Sequence, residues 1–390
     1  MVLKKSKPKV CLLTTSLLVV KFFLLPHIIA LSSEYDLTVV VNVDDEEFLK
    51  RLNLPVRVVH LPIKRKISPF RDLKVLVTLA FFLARERFDV IHTVAPKAGM
   101  VGIIAGWLAR VPVRLHIFQG EVWATHTGVM RTVLRTVDKV VALLSTHLLV
   151  VSQSERDFLI REKIISAKKS VVLGKGSISG VDMSRFKPDA ERKAVMRKRL
   201  SLTNEDTVLL YLGRLTKDKG ILDLYEAFGS IDSPKFRNVH LVIVGPDEEG
   251  VLNHLSNVSD DIKNRIHILP YTDVPEDFLC MADILVLPSY REGFGVVVIE
   301  AAAFKVPSIG SRIYGITDAI QENQTGVLFE VGNKDELVEK IKLLAENSDL
   351  RKSMGNAAFK RCQESFEQQK LIQSYMHFYK KMLSDKKIIA

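Results

Sequence analysis

The chain has 390 residues, of which 47% are apolar and 26% are charged, a balance typical of a soluble globular protein. This length exceeds one ordinary hydrophobic core and predicts two domains. The cysteines at 11, 280 and 362 are odd in number and lack metal-ligand spacing, which excludes a disulfide framework and indicates a reducing cytoplasm.

Positive charge is concentrated in the first half of the chain. Residues 1–186 carry 28 Lys and Arg against 15 Asp and Glu, whereas the remainder carries 28 against 30. A basic first half predicts an anionic partner: membrane headgroups, a lipid diphosphate or nucleic acid. Because the sequence shows no RNA-recognition, zinc-finger or helix-turn-helix signature, we do not expect it to bind nucleic acid.

The N-terminal stretch has some features of a signal peptide, since lysines at 4, 5, 7 and 9 precede an apolar run from Val10 to Val20. Polar residues at 14–16 and Lys21 interrupt that run, so it offers no clean span of about twenty apolar residues. We therefore predict a first strand at 9–15 and a helix at 17–31 that Pro26 kinks or interrupts. A signal or anchor segment remains the alternative.

The rest of the first half alternates β-rich runs with helical patterns, which predicts a doubly wound parallel sheet. Predicted strands lie at 37–43, 56–61, 88–92, 113–118, 147–151 and 171–173, and helices at 73–86, 101–109 and 131–144. Ligands bind at the carboxyl ends of the strands in such sheets. The candidate pocket residues are therefore Ser16, 92–97, 119–127 and Ser152.

Two basic clusters in the first half could meet an anionic surface. One is the run 64–66, and the other is Arg131, Arg135 and Lys139, which are spaced four apart on one helix face. A cation beside an anionic inner leaflet contributes about 1 kcal/mol, and the apolar stretch 17–25 could add contact with the membrane. An ordinary solvated helix face is the alternative.

A glycine-rich linker at 173–186 precedes a second alternation of strands and helices, which begins at Thr207. Predicted strands lie at 208–212, 240–244, 266–269, 282–287, 307–309 and 325–329, and helices at 221–228, 277–281, 335–346, 349–366 and 369–385, with a further helix from 296. This pattern predicts a second parallel-sheet domain.

The loop 213–220, between a predicted strand and helix, carries Arg214 and Lys219. Backbone N–H groups at a helix start, together with cations, suit a phosphate. Ordinary surface charges in a loop are the alternative.

A second loop, from Glu292 to Gly295, joins a buried strand to the helix from 296. Glu292 and Glu300 are eight residues apart, about two helical turns. The free N–H groups of that helix's first turn suit an anionic or hydroxyl-rich ligand. The alternative is that Glu292 and Glu300 bind no ligand and are an ordinary loop acid and an ordinary helix acid.

In this order, the two loops resemble the GT-B glycosyltransferase family 4, whose motif places seven residues between two glutamates. The resemblance implies an α/β fold of two Rossmann-like, doubly wound domains that face each other across a cleft. It implies an acceptor-side domain at 1–186 and a nucleotide-sugar-binding domain at 187–368. It also implies that a C-terminal helix at about 369–390 packs back on the first domain.

The resemblance further implies catalytic roles for Arg214 and Lys219, on the donor diphosphate, and for Glu292, on the transferred sugar. Glu300 would hold the ribose. The implied donor-binding set is Gly213, Arg214, Lys219, Leu269, Glu292, Gly293, Phe294, Gly295, Val296 and Glu300. Because the chain has no Asp-x-Asp motif, we expect neither a metal nor another cofactor.

The stretches 92–99 and 110–114 look like family members that build capsule, O-antigen or other glycans on undecaprenyl diphosphate. This implies retaining transfer from a nucleotide-sugar, with a UDP-sugar as the expected donor, to a lipid-linked acceptor at the inner face of the cytoplasmic membrane. Many members carry a histidine where this chain has Gln119. The nearby His116 lies within a strand and is expected to be structural, so it and His126 receive no catalytic role.

Glu121, Trp123 and His126 are candidates for the acceptor side. Two other functions remain open. A GT-B nucleotide-sugar epimerase would interconvert donors without an acceptor. A non-catalytic nucleotide-sugar or membrane-binding protein would form no product.

Overall fold

The computed structural model describes residues 7–63, 68–231, 233–255 and 258–389, so the basic run 64–66 lies outside the described residues. The chain divides into two compact units, Met1–Ser179 with Gln369–Ala390, and Gly180–Gln368. The division falls about seven residues before the predicted boundary at 186. Segment 180–186 belongs to the second unit because the Val181 N–H donates to the Phe366 carbonyl at 2.8 Å and Phe186 packs edge-on against Phe304.

The strands, in chain order, are β1 Lys9–Leu13, β2 Asp36–Val41, β3 Arg57–His60, β4 Val90–Val94, β5 Val113–Phe118, β6 His147–Val150, β7 Ser170–Val171, β8 Thr207–Leu212, β9 Val239–Val244, β10 Ile266–Leu269, β11 Ile284–Leu287, β12 Ser308–Ser311 and β13 Gly326–Phe329. The first unit orders its strands β3-β2-β1-β4-β5-β6-β7, and the second β10-β9-β8-β11-β12-β13. Both sheets are parallel.

The α-helices are α1 Leu17–Val19, α2 Leu25–Glu34, α3 Glu46–Leu52, α4 Pro69–Glu86, α5 Pro96–Leu108, α6 Gly128–Leu144, α7 Gln153–Arg161, α8 Ala190–Arg199, α9 Ile221–Gly229, α10 Asp260–Lys263, α11 Pro275–Met281, α12 Val296–Ala303, α13 Ile316–Ala319, α14 Lys334–Glu346, α15 Ser348–Ser365 and α16 Gln368–Asp385. Helices α4 and α5 begin earlier than predicted because each has proline in its first turn, where the missing N–H is not needed. The sequence patterns missed α3 and α8, and also the short helices α10 and α13.

Each sheet reverses its strand order once, between β1 and β4 and between β8 and β11. The central strands are buried along their length, as expected for parallel strands covered on both faces. In an open parallel sheet the crevice for a ligand lies where the order reverses, at the carboxyl ends of the strands. The loops after β8 and β11 are therefore the first place to look for a site in the second unit.

The run Leu17–Glu34 forms one continuous helical segment in which α1 passes through a π-helical stretch, Val20–Leu24, into α2. Pro26 lies in the first turn of α2, directly after the π-helical stretch, so the helix changes type near the predicted position but is not broken there. Within the described residues, this run is the one helix long and apolar enough to cross a membrane, a test that buried core helices also pass. His27 accounts for part of its burial, because it contacts the Ile178 carbonyl at 2.6 Å and stacks on Tyr375.

The C-terminal helix α16 packs within the first unit. The hydroxyl groups of Tyr375 and Tyr379 lie 3.0 and 2.9 Å from Nδ1 of His92, in β4. All three side chains are fully buried. Burial keeps the His92 imidazole neutral by lowering its pKa well below the usual value, with further lowering from His27 and His116.

Candidate active site

The loops after β8 and β11 meet at the point where the second sheet reverses its order. Gly220 ends the first loop with a φ of 67°, which favours glycine. A Cβ atom at this position would lie 2.0 Å from the carbonyl oxygen of Pro288, in the second loop. The close backbone approach therefore requires glycine at 220 and holds the two loops together.

Lys219 and Glu292, one from each loop, form a largely buried ion pair. Nζ of Lys219 lies 2.7 Å from Oε1 of Glu292 and 3.2 Å from the carbonyl oxygen of Arg291. The Ser289 hydroxyl donates to the same carboxylate oxygen at 3.0 Å. The two predicted catalytic side chains are thus in direct contact and held in one orientation.

A second ion pair joins the same two loops with the charges exchanged, since here the acid comes from the first loop and the cation from the second. Nη2 of Arg291 lies 2.6 Å from Oδ2 of Asp218, and the Thr216 hydroxyl donates to Oδ1 at 2.5 Å. Burial acts to raise the pKa of Asp218, but the Thr216 hydrogen bond and the charges of Arg291 and Lys219 lower it overall. Sequence reasoning missed Asp218 and Arg291, although each is adjacent to a residue it had selected.

Arg214 stands beside this pair at the start of the first loop. Its Nη1 lies 2.8 Å from Oε2 of Glu248, and the Tyr211 hydroxyl donates to its carbonyl at 2.6 Å. Burial acts to lower the pKa of Arg214, but Glu248, with smaller effects from Asp218 and Glu292, raises it overall. Arg214 thus lies within electrostatic reach of Glu292, and a bound anion could replace the exposed Glu248 as its partner.

Glu300 has a different environment. It lies partly buried in the second turn of α12, near Arg185, which forms a two-bond pair with Glu276 at 3.0 and 2.7 Å. Burial raises the pKa of Glu300 to about 7, with Arg185 acting against this and Glu276 adding to it. Among the described side chains, Glu300 forms no direct ion pair with Arg214 or Lys219. Sequence reasoning missed Arg185, which lay in the predicted linker.

The remaining predicted donor-binding residues contribute backbone more than side chain. Phe294 is buried and packs against Phe366, so its side chain belongs to the core. The Gly213 N–H donates to the Val244 carbonyl at 3.0 Å, and the Leu269 carbonyl accepts from Gly245 at 3.2 Å, so both extend the sheet.

The turn that leads into α12 carries the other predicted backbone contacts. Gly295 caps α12 with a φ of 79°, and the carbonyl oxygen of Gly293 lies 2.6 Å from where a Cβ on Gly315 would stand. Val296 begins α12, whose first-turn N–H groups lack the usual partner four residues earlier in the helix, although the Val298 N–H donates to the Gly295 carbonyl at 2.9 Å. Of the predicted set, these N–H groups are the ones best placed to donate to an anion.

At the carboxyl edge of the first sheet, the polar side chains form hydrogen bonds and ion pairs with other residues of the protein. His116 is buried, its Nδ1 lies 2.8 Å from the Thr93 hydroxyl, and a Cβ on Gly99 would collide with its ring. The structural role expected for His116 is therefore confirmed. Lys97, one of the candidate pocket residues, pairs with Asp72 at 2.6 Å.

Three buried carboxyl groups lie behind this edge, on Glu121, Asp138 and Glu155. Glu155 accepts hydrogen bonds from the N–H groups of Gly120 and Val151. Burial and the neighbouring Glu121 nevertheless raise its pKa well above the usual value. Burial likewise raises the pKa of Asp138 to about 7, with a further contribution from Glu121.

Two of the three acceptor-side candidates do not face solvent. Trp123 is fully buried and donates from Nε1 to Asp138 at 2.8 Å, so it is a core residue, and its predicted place in an acceptor pocket is wrong. Glu121 is buried as well. His126 is exposed, with Nδ1 2.8 Å from the Val122 carbonyl. The amide Nε2 of Gln119 is buried and has no hydrogen-bond partner among the described residues.

Two parallel-sheet α/β units of this kind define the GT-B fold. The family model described as "Glycosyl transferase 4-like domain" matches residues 30–176. The family model described as "Glycosyl transferases group 1" matches residues 192–361. Each unit thus matches a glycosyltransferase model, and the chain belongs to the family 4-like GT-B glycosyltransferases.

Curated relatives agree with this membership. The chain is 29% identical over 356 residues, 87% of this chain and 93% of the relative, to the capsular polysaccharide biosynthesis glycosyltransferase CapM of Staphylococcus aureus. It is 29% identical over 279 residues, 70% of each chain, to the UDP-Gal:alpha-D-GlcNAc-diphosphoundecaprenol alpha-1,3-galactosyltransferase of Escherichia coli. The chain is therefore an enzyme that transfers a sugar.

Solved structures support the fold. The structure of HepE from Anabaena with UDP and glucose superposes with a TM-score of 0.77 over 96% of this chain and 100% of that chain. The sequence identity is 18%, so this similarity bears on the fold alone.

Proposed function

We propose that the enzyme transfers a sugar from a UDP-sugar to an acceptor linked to undecaprenyl diphosphate, with retention at the anomeric carbon, during assembly of a bacterial surface polysaccharide such as capsule or O-antigen. The observation that carries this proposal is the convergence of Lys219, Glu292 and Arg214 where the second sheet reverses its order. Two cations beside a carboxylate suit a ligand that joins a diphosphate to a hydroxyl-rich sugar.

The reaction breaks the bond between the anomeric carbon and the diphosphate, so negative charge grows on the departing oxygen. Arg214 and Lys219 are held to stabilise that charge before it forms, which is the arrangement that lowers a barrier most effectively. The N–H groups at the start of α12 add donors. The acceptor hydroxyl forms the new bond, and its proton passes to the departing diphosphate.

Glu292 has two parts to play in this scheme. In the free protein its carboxylate pairs with Lys219 at 2.7 Å. We propose that the bound diphosphate takes up part of the Lys219 charge, which leaves the Glu292 carboxylate to accept hydrogen bonds from sugar hydroxyl groups. Glu300, whose pKa is about 7, accepts from the ribose hydroxyls when it is ionised.

The lipid-linked acceptor is proposed from the chemistry of the first unit and from the relatives. The first half of the chain is basic, and the Escherichia coli relative is named for an undecaprenol-linked acceptor. Such an acceptor places the enzyme on the inner face of the cytoplasmic membrane as a peripheral protein. We further propose that the reaction needs no metal, since Arg214 and Lys219 supply the positive charge.

The test is to incubate the enzyme with a panel of nucleotide sugars and an undecaprenyl-type diphosphate acceptor, and to follow products by mass spectrometry with and without EDTA. One donor should add a single sugar to the acceptor, EDTA should leave this unchanged, and Lys219→Ala should abolish most of it. Lys334→Ala is the matched control, because it removes an exposed second-unit ion pair with Glu226. Interconversion of donors without acceptor would indicate the epimerase, and binding without product a non-catalytic protein.

A further inference from the structure

Helix α4 of the first unit carries an exposed apolar stripe that nothing in the proposed reaction uses. Phe70 is 91% exposed, Leu73 59%, Val77 43% and Phe81 73%. Their spacing of three and four residues puts all four on one side of the helix. The opposite side, which includes Val75, Leu79 and Leu83, packs in the core. The helix is therefore apolar on both its inner and its outer face.

The charges on the outer face of α4 are all positive. Arg71, Lys74 and Arg85 are exposed. Within α4, all of which the structure describes, the acids are Asp72 and Glu86, which are less exposed and pair with Lys97 and Arg57. The face offered to a partner thus combines aromatic and aliphatic side chains with cations and no exposed acid.

Helix α6 repeats this combination. Val129 is 81% exposed, Val133 49%, Val140 37% and Leu143 76%, and these four share one side of the helix. Lys139 is exposed beside them, whereas the single acid in this fully described helix, Asp138, is buried.

The stripes on α4 and α6 belong to one side of the first unit. Helix α5 packs against both α4 and α6, and its last residues, Trp107 and Leu108, are 51% and 52% exposed. The exposed apolar side chains of three neighbouring helices therefore form one face, which we call the α4–α6 face. Soluble monomers rarely expose so many large apolar side chains together without a partner.

We infer that the α4–α6 face docks on an anionic lipid bilayer. Helices that lie in a bilayer interface have this composition, with aromatic and aliphatic residues flanked by Lys and Arg. The positive charge complements anionic headgroups, and side chains from three helices can enter a fluid interface without a partner of matching shape. The inference rests on the proposed function in one respect, because an undecaprenyl-linked acceptor is reached only at a membrane.

This surface shares Lys139 with the contact expected from the sequence and otherwise differs from it. Arg131 and Arg135 both form ion pairs with Glu162, at 3.6 and 3.3 Å. Both also lie over the ring of Trp123, so their charges contact other protein residues. In the apolar stretch 17–25, Leu17, Val20 and Leu24 are buried. The apolar side of α6 and the stripe of α4 contact the bilayer instead.

The first experiment is co-sedimentation of the full chain with vesicles of phosphatidylcholine alone or mixed with phosphatidylglycerol. Wild type should bind the mixed vesicles, and Phe70→Ser/Phe81→Ser should bind them at least about tenfold more weakly, because two aromatic side chains no longer leave water. Val195→Ser/Leu343→Ser is the matched control, since these exposed apolar residues lie on the second unit. Equal binding by wild type and Phe70→Ser/Phe81→Ser would overturn the inference.

The second experiment reverses charge. Lys74→Glu/Arg85→Glu should weaken binding to the mixed vesicles by tenfold or more, given about fivefold for each cation at an anionic surface, and added salt should shrink the difference. Lys198→Glu/Arg199→Glu, exposed on α8, is the control with the same change in net charge. Equal loss in both double variants would mean that net charge acts without a defined face, and would overturn the inference.

The third experiment tests whether the α4–α6 face binds a second copy of the chain instead, by light scattering without lipid. If wild type dimerises and Phe70→Ser/Phe81→Ser does not, the face binds a second copy, and the membrane inference is wrong. Transfer to a short-chain, water-soluble acceptor analogue should be equal in wild type and Phe70→Ser/Phe81→Ser. Because vesicle binding needs no catalysis, absence of transfer in every protein would defeat the proposed function and leave the vesicle result standing.

Discussion

The carboxyl edges of the two sheets have the same topology and use their polar side chains differently. In the second unit, Lys219, Glu292, Asp218 and Arg291 form crossed ion pairs that remain partly accessible. In the first unit, polar groups such as His92, His116 and Glu155 are buried and bonded within the protein. The second unit therefore has charged side chains that can interact with a ligand, whereas the buried groups of the first unit stabilise the fold.

This difference predicts where a substitution is felt. The second-unit pairs are largely buried, with side chains 14–22% exposed, so removing one partner costs some stability, but the same charges contribute more to a transition state whose charge they face. For the first-unit groups the cost is to stability alone, since removing a partner leaves an unsatisfied group in the core. Loss of a second-unit charge should therefore reduce turnover most, and loss of a first-unit hydrogen bond should reduce stability without reducing turnover.

The largest expected effect is that of Lys219→Ala or Arg214→Ala. Each should lower turnover by about 100-fold or more, because each removes a preorganised positive charge from the departing diphosphate. Turnover under saturating donor is the measurement. The thermal midpoint should fall for Lys219→Ala, which leaves the largely buried Glu292 carboxylate without its cation, and change little for Arg214→Ala, whose ion pair is more exposed. Arg312→Ala, which removes exposed second-unit ion pairs with Glu322 and Glu330, is the control. Unchanged turnover in both site variants would refute the assignment of the site.

Gly220→Ala tests the contact between the two loops. The added Cβ would meet the Pro288 carbonyl at 2.0 Å, at a φ of 67°, so we expect the free energy of unfolding to fall by about 2 kcal/mol. Donor affinity should fall as well, because Lys219 precedes the displaced residue. Gly174→Ala has a similar positive φ of 55° but nothing within 4 Å, and it should cost less. Equal losses would show that conformation, not loop contact, requires glycine at 220.

The sequence predicted the second unit better than the first for a physical reason. Apolar strands that end in glycine or proline, followed by charged loops, are local patterns, and Arg214, Lys219 and Glu292 could be selected from them. The partners Asp218 and Arg291 were not selected, because a salt bridge between residues 73 positions apart depends on strand order. Glu300 was selected for its spacing, but its raised pKa depends on burial and on Glu276, which no local pattern reports.

The first unit shows the limit of such patterns more clearly. Trp123, Glu121 and His126 follow one strand and were grouped as acceptor candidates, yet the fold buries the first two and exposes the third. The helical pattern of α4 gives no sign that its outer apolar residues lack a partner. That conclusion requires the packing of α4 against α5, which places Phe70 and Phe81 in solvent.

Glu300→Gln should change how donor binding depends on pH. Glu300 has a pKa of about 7, so its carboxylate forms between about pH 6 and pH 8, and charged acceptors bond hydroxyl groups more strongly than neutral ones. Wild type should bind the donor about fivefold to tenfold more tightly at pH 8 than at pH 6. The variant should show a flat profile, as measured by titration calorimetry with the nucleotide sugar. A pH dependence retained in Glu300→Gln would assign it to another group.

The same group should affect stability in the opposite direction. The folded-state pKa of Glu300 is raised above its unfolded value of 4.5 to about 7. The contribution of Glu300 to the free energy of unfolding is therefore fully present below pH 4.5 and is lost as pH rises through 7. Donor binding thus improves over the range in which this contribution declines. Chemical denaturation of wild type and Glu300→Gln at pH 5 and pH 8 would measure the difference.

The smallest effect should come from the buried hydroxyls that hold α16. Both Tyr375 and Tyr379 reach Nδ1 of His92, at 3.0 and 2.9 Å, so either Tyr→Phe variant leaves one partner and should cost about 0.5–1.5 kcal/mol. The double variant leaves Nδ1 of a fully buried imidazole without a partner and should cost more than the sum of the two. Turnover should stay within about twofold, because the hydroxyls stabilise the fold and do not belong to the site. If Tyr379→Phe lowered turnover as Lys219→Ala does, the contrast between the two edges would fail, since a buried hydrogen bond in the first unit would then be acting on the reaction.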